Sequence, residues 1–241
     1  MLSISATLEA GWRLFLQSLP VIFMPVWIAC VVDVIPDAFA GGGLLTGSIT
    51  WKTIIVALLA WLLESALFGS AIAKLDAFAR GTTLSYGQAL RNGVRAAPAI
   101  LVGDLLYYLA VCIGFFVFIV PGIVLGTTLA FFAYAAVLDR KNFIDALSYS
   151  HSLTRANWWR TSVVISAPAI VLFIYDVISG WPDIMNAVHQ LGTGQMPGAS
   201  SLTHPWCDYG LMPLVGGIVW CYVLSVCYLQ YCSLRTRADA H

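Results

Sequence analysis

Long apolar runs alternate along this chain with short segments that carry most of its charged side chains. A helix needs about 20 residues, at a rise of about 1.5 Å each, to cross about 30 Å of hydrocarbon. The runs of about that length are 19–40, 51–73, 97–118, 121–138, 161–180 and 209–232. The pattern therefore predicts an all-α polytopic membrane protein whose six transmembrane helices form a single membrane domain over residues 1–241.

The third and fourth runs are almost continuous, because residues 96–138 contain hardly any break in apolar character. A straight helix over that segment would be about 65 Å long, twice what a bilayer requires. Proline removes a helix donor and glycine tolerates the backbone of a tight turn. Pro121 and Gly122 are therefore predicted to form the reversal between two separate spans.

The basic residues predict how the spans are oriented. Lys52 lies at the head of the second span, on the side opposite to all the other lysines and arginines. Basic residues of short loops stay in the cytoplasm, so both termini are predicted to be cytoplasmic. Tryptophan favours the headgroup level, and indoles occur at the predicted span ends. These are Trp51, Trp158, Trp159, Trp181 and Trp206.

A short sequence pattern recurs before the first, third and fifth spans. Residues 7–13 and 89–95 share a leucine, a glycine and an arginine in register, and residues 146–152 keep the leucine and carry Ser150 in place of the glycine. Such periodicity predicts repeated units, each a short cytoplasmic amphipathic helix followed by a two-helix hairpin. These helices either lie in the headgroup plane or pack under the bundle as joints. The predicted units cover about 1–73, 82–138 and 142–232.

Composition excludes the other protein classes. Hydrophobic residues make up 60% of the chain and charged residues only 10%, against about 45–50% and about 25% in soluble domains. The mean hydropathy of +0.84 is typical of a chain surrounded by lipid. Twelve basic residues balance twelve acidic ones, so there is no overall basic field for nucleic acid.

No catalytic or cofactor motif is recognisable. The six cysteines include no C-x-x-C pair and predict no disulfide framework. His189 and the segment 204–208 contain metal-capable side chains, without the short fixed spacings typical of zinc sites. A nucleophile elbow, a P-loop and a dinucleotide fingerprint are also missing. We therefore expect no cofactor, no metal and no enzymatic activity.

Two carboxylates fall deep within predicted spans. Glu64 lies midway along the second span and Asp104 about two turns into the third. A charged side chain at the bilayer centre costs about 2.5–3.5 kcal/mol on insertion scales, so each needs a partner or a purpose. One interpretation is a polar cleft for proton-coupled movement of a small or lipid substrate. The other is structural: each carboxyl forms an interhelical hydrogen bond or reaches the nearer interface.

The segment from Pro121 to Arg160 carries a family resemblance. Its motif positions are Pro121, Gly122, Asp139, Leu147, Ser150, Leu153, Thr154, Trp158 and Trp159. This pattern resembles that of the uncharacterised YciC-like bacterial inner-membrane proteins and, more distantly, that of the membrane domain of some glycerophosphodiester phosphodiesterases. The chain departs from it in Asp139 for glutamate, His151 for an aromatic residue and Ala156 for glycine.

The resemblance implies a six-span inner-membrane protein without an assigned reaction. The phosphodiesterase activity is not implied, because these residues contain no phosphodiesterase domain. We expect a non-enzymatic accessory, regulatory or scaffolding protein whose partners are membrane lipids and an unidentified membrane protein. A small transporter or lipid-handling protein that uses a cleft at Glu64 and Asp104 is the alternative, and an intramembrane enzyme comes third.

Overall fold

A computed structural model describes residues 3–36, 50–192 and 210–239. The regular elements within these ranges are helical, as the sequence predicts. They are α1 (Ile4–Asp33), α2 (Trp51–Ala79), α3 (Tyr86–Val117), α4 (Ile119–Leu129), α5 (Phe132–Leu138), α6 (Phe143–Arg155), α7 (Trp158–Gly192) and α8 (Met212–Ala238).

Six helical segments in the described ranges are long and apolar enough to cross a membrane. They comprise α1, α2, α3, α4 together with α5, the first part of α7 as far as Trp181, and α8. Because these segments coincide in order and number with the predicted spans, the prediction of a multi-pass membrane protein is supported by length and composition. Trp51, Trp158, Trp159 and Trp181 are exposed at the ends of spans, whereas Trp206 lies outside the described residues.

The spans pack in chain order, and α8 packs back against α1 to close the bundle. Aromatic side chains fill the centre between the fourth and sixth spans. The ring of Tyr231 lies 5.6 Å from that of Tyr134 and 6.1 Å from that of Phe131. Tyr231 and Phe131 are fully buried. The fourth and sixth spans therefore meet through packed aromatic rings.

The reversal between the third and fourth spans differs from the predicted one. Phe118 is extended (φ −163°, ψ 157°) and separates α3 from α4, while Pro121 and Gly122 lie in the first turn of α4. Proline is tolerated there because a first-turn N–H has no partner within the helix. Gly122 serves packing instead: a Cβ on Gly114 would lie 2.9 Å from the Gly122 Cα.

The predicted leading helices are separate elements only in the third unit. In the first two units α1 and α3 run without interruption from the leading segment into the span, although Pro20 and Pro98 lie inside them. Proline is tolerated in membrane helices because neighbouring groups satisfy the carbonyl that it frees. In the third unit a turn at Ala156 and Asn157 separates α6 from α7.

Candidate functional site

One end of the bundle carries most of the basic side chains, and we call it the basic end. It comprises the end of α2, the start of α3, the segment 139–142, α6 and the end of α8. The basic residues there include Arg80, Arg91, Arg95, Arg140, Lys141 and Arg235. Lys52, at the first turn of α2, lies at the opposite end.

Asp139, the acidic residue of the motif between Pro121 and Arg160, connects the fourth span to the sixth. Its carboxylate accepts a hydrogen bond from the hydroxyl of Tyr231 and forms an ion pair with Arg235 at 2.7 Å. The side chain of Asp139 is 12% exposed and that of Arg235 is 34% exposed. A largely buried carboxylate is stable when its charge is paired and its oxygens are hydrogen-bonded, and Asp139 meets both conditions.

Asp76 forms a second cluster of the same composition. Its carboxylate accepts hydrogen bonds from the guanidinium of Arg80 and the hydroxyl of Tyr228, both at 2.9 Å. Tyr228 and Tyr231 are three residues apart and therefore lie on one face of α8. Sequence reasoning missed Asp76 and both tyrosines. The available signal was an aspartate near the basic end of both the second and the fourth span.

Ser150 and Thr154 of α6 form hydrogen bonds with the backbone at the break between α4 and α5. The Ser150 hydroxyl donates to the carbonyl of Thr128 (2.8 Å) and accepts from the N–H of Phe131 (3.1 Å). The Thr154 hydroxyl also donates to the carbonyl of Thr128, at 3.0 Å. A helix break leaves backbone groups without intrahelical partners, and these fully buried hydroxyls supply partners.

The other motif residues also pack or border the bundle. Leu153 is buried at 7% exposure and Leu147 packs against the main core. Trp158 and Trp159, at 39% and 58% exposure, stand at the start of α7. The structure thus brings Asp139, Ser150 and Thr154 into polar contacts between helices, while the tryptophans stay at the bundle surface.

A cavity of about 620 Å³ opens at the basic end between the ends of the second, third and fourth spans. We call it the basic cavity. Among the described residues, four cationic side chains line it together with a single acidic residue, Asp76. The polar and charged lining residues are Arg80, Thr82, Asn92, Arg95, Arg140, Lys141 and Asp76, and the remainder are alanine, leucine and valine. A smaller pocket shares Leu84, Asn92 and Arg95 with it and adds Arg91.

Two features at the cavity rim are unusual. The backbone of Arg140 has φ +52°, in the left-handed region that favours glycine or asparagine. The ammonium of Lys141 lies 4.4 Å from the ring centroid of Tyr149. Burial, followed by the nearby Asp139 carboxylate, raises the pKa of Tyr149 above its ordinary value. The phenol is therefore uncharged beneath the Lys141 ammonium at neutral pH.

Glu64 and Asp104, the candidate cleft residues, are half-buried in the middle of the bundle. The carboxylates of Asp33 and Asp104 both lie within electrostatic range of Glu64, and the side chain of Trp61 is close to Asp104. The hydroxyls of the nearby Ser65 and Ser70 donate to backbone carbonyls of their own helix and not to Glu64. Neither carboxylate lines the basic cavity or the pocket beside it.

A metal site does not emerge from the part of the chain that the structure describes. No three histidine, cysteine, aspartate or glutamate side chains converge there. The segment 204–208, with its metal-capable side chains, lies outside the described residues.

Comparison with known proteins places the chain in a family but assigns no activity. No curated protein and no solved structure matches it. No link to the YciC-like proteins or to glycerophosphodiester phosphodiesterases is shown. A family model matches residues 44–234, well over half of the chain and all of the basic cavity. The protein therefore belongs to the family described as domain of unknown function DUF7847.

Proposed function

We propose that this protein is a non-enzymatic, multi-pass inner-membrane protein of accessory, regulatory or scaffolding type. The observation that carries the proposal is the use of its motif side chains. Asp139, Ser150 and Thr154 make hydrogen bonds or ion pairs that join helices. Catalytic groups are instead held facing a site where substrate can reach them. Polar residues used in this way favour a structural role for the motif.

We further propose that the bundle consists of three repeats. Gly11, Gly93 and Ser150 occupy matching positions, and all three are buried. A Cβ on Gly11 would meet the Val226 side chain of the sixth span at 2.7 Å. Gly93 touches the second span, and Ser150 the fourth. Each small residue thus packs against the second span of the preceding unit around the ring, which supports a common origin.

The proposed location is the bacterial inner membrane, with both termini in the cytoplasm. Arg80, Arg95, Arg140 and Lys141 border one end of the bundle, and the predominance of basic residues in cytoplasmic loops supports that orientation. Its partners in this proposal are membrane lipids and a further membrane protein.

The second candidate function is transport or lipid handling through a cleft at Glu64 and Asp104. The proximity of two carboxylates in mid-bundle favours it, because ionisable groups inside a membrane commonly mark substrate or proton pathways. In this function at least one carboxylate changes protonation state during each cycle.

A complementation experiment separates the two functions. A strain that lacks the gene is profiled for growth across many conditions and then supplied with the wild type, Glu64→Gln, Asp104→Asn or the double variant. The scaffolding proposal predicts that all variants restore growth at equal protein abundance. Loss of complementation by either variant at wild-type abundance would overturn it in favour of the cleft. Leu63→Gln, at a neighbouring exposed position of α2, controls for adding a polar amide to the span.

A further inference from the structure

We propose that the basic cavity binds an anionic phosphate group. This inference goes beyond the proposed function and does not depend on it, because a scaffold and a transporter are equally able to hold such a ligand. The shared chemistry is a phosphate monoester or diester, carried either by the headgroup of an anionic lipid or by a soluble metabolite. The experiment below distinguishes those sources.

The charges around the cavity are not balanced from within. Asp76, its single acidic lining residue, already accepts from Arg80 and from Tyr228. In the ranges that the structure describes, no carboxylate lies within ion-pair distance of Arg95 or Arg140. Four cationic residues against one acidic residue leave three positive charges in excess around a single opening. A bound anion supplies the missing counter-charge.

The side chains are of the kinds that recognise phosphate. Arginine guanidinium groups donate two parallel hydrogen bonds to phosphate oxygens, and lysine adds a compact positive charge. Asn92 and Thr82 contribute neutral donors to the same lining. A volume of about 620 Å³ exceeds the needs of a phosphate alone and falls in the usual range of small-molecule sites. The cavity has room for the group to which the phosphate is attached.

Arg140 directly follows the C-cap of α5, a position where many helices end in a left-handed residue, usually glycine. Its left-handed backbone follows directly on Asp139, and the N–H of Lys141 then returns to the carbonyl of Ala135 at 3.3 Å. An arginine there is strained where glycine or asparagine would be relaxed. The choice of arginine at this position therefore costs some stability, which a role for its side chain would offset. Here that side chain borders the cavity.

The walls favour a lipid as the source of the phosphate. Alanines from three spans form most of the apolar lining: Ala73, Ala77, Ala96, Ala99 and Ala136. Small apolar walls behind a cationic rim suit a glycerol backbone and its first methylene groups. Basic pockets between transmembrane helices on the cytoplasmic side are a recognised arrangement for anionic headgroups.

Native mass spectrometry of the full chain in detergent tests the inference. The protein is titrated with phosphatidylglycerol or with phosphatidylcholine of identical acyl chains. We expect preferential binding of phosphatidylglycerol by the wild type. Arg95→Gln combined with Arg140→Asn should weaken that binding about 25-fold, since each cation near a lipid surface contributes about a fivefold factor. The control, Arg155→Gln with Arg237→Gln, removes two basic-end charges outside the cavity lining and should change affinity less than twofold.

Titration with glycerol 3-phosphate without added lipid identifies the source. Binding of that compound by the wild type, with loss in the cavity variant alone, supports the site with a soluble ligand. Equal affinity for both lipids together with no binding of glycerol 3-phosphate overturns the proposal, as does an equal loss in the control. Asparagine suits the left-handed backbone at position 140, and circular dichroism checks that each variant stays folded. The single variants, each expected to lose about fivefold, keep the test decisive if the double variant unfolds.

Discussion

The basic end and the middle of the bundle both hold carboxylates, but they treat them differently. At the basic end Asp76 and Asp139 each have an arginine and a tyrosine hydroxyl as partners. In mid-bundle, Glu64 and Asp104 form no ion pair within the described residues. Acidic residues that look alike in the sequence are therefore expected to contribute differently to stability.

The comparison teaches where charge contributes to the fold. When one partner of an ion pair between helices is removed, the protein loses stability because the other charge stays buried without a partner. Where a carboxyl has no cationic partner inside the membrane, its replacement by a neutral amide should change the free energy of unfolding little, because the amide is no harder to desolvate. Replacement of residues in the two regions should consequently give large and small effects, and the following five changes are ordered by expected size.

Gly93→Ala tests the tightest contact at the basic end. The added Cβ would lie 2.0 Å from the carbonyl oxygen of Ala66 and 2.7 Å from the Ser70 nitrogen, so α2 and α3 must separate. We expect the free energy of unfolding in detergent to fall by about 3 kcal/mol. Gly87→Ala in the same helix meets nothing within 4 Å and should be neutral or stabilising. Equal losses in both variants would contradict the packing account.

Asp139→Ala removes the acid shared by Tyr231 and Arg235. We expect a loss of about 2–3 kcal/mol in unfolding free energy, below the full cost of breaking a buried pair because Arg235 is 34% exposed. Denaturant titration followed by circular dichroism measures it. Glu9→Ala provides the control, since its pair with Arg13 is well exposed and should contribute less than about 1 kcal/mol. A loss at Asp139 no larger than that at Glu9 would contradict the clustering role.

Ser150→Ala leaves the N–H of Phe131 without its hydroxyl acceptor, at a fully buried site. The expected cost is about 2 kcal/mol, the usual penalty for an unsatisfied buried donor. Thermal unfolding in detergent measures the change. Ser152→Ala is the control on the same helix, because its exposed hydroxyl donates only to the local Tyr149 carbonyl. If both variants have the melting temperature of the wild type, the Ser150 hydroxyl does not stabilise the break between α4 and α5.

Arg140→Gly should raise stability. Glycine adopts φ +52° freely, so the substitution relieves a strain of about 1 kcal/mol. The same variant should bind phosphatidylglycerol more weakly. Higher melting temperature with lower lipid affinity is the combination that a purely structural arginine would not give. If the affinity for phosphatidylglycerol is unchanged, Arg140 does not contribute to ligand binding.

Glu64→Gln is expected to change the unfolding free energy by less than about 0.5 kcal/mol, because no arginine or lysine among the described residues loses a partner. The same denaturant titration measures it. A loss as large as that of Asp139→Ala would show that the mid-bundle acid is also structurally engaged, and the contrast between the two regions would fail.

Part of the candidate site was accessible from the sequence. The motif residues Asp139, Ser150 and Thr154 were identified, and all three make polar contacts between helices. Asp76 was not identified, because in the sequence it resembles an ordinary interfacial acid. Its partner Tyr228 lies 152 positions further along the chain and reaches it only in the folded protein. The basic cavity was also missed. Its cations come from three loop and helix segments whose proximity depends on how the spans pack.

The sequence by itself determined the helical class, the number and order of the spans and the concentration of basic residues at one end. Apolar run length and local charge decide those features through transfer energy, without reference to distant residues. Only the tertiary structure decided where the chain reverses, which acids receive partners and which cations surround a common space. Those outcomes depend on close packing between spans, where a single Cβ at Gly93 or a hydroxyl at Ser150 determines how two helices meet.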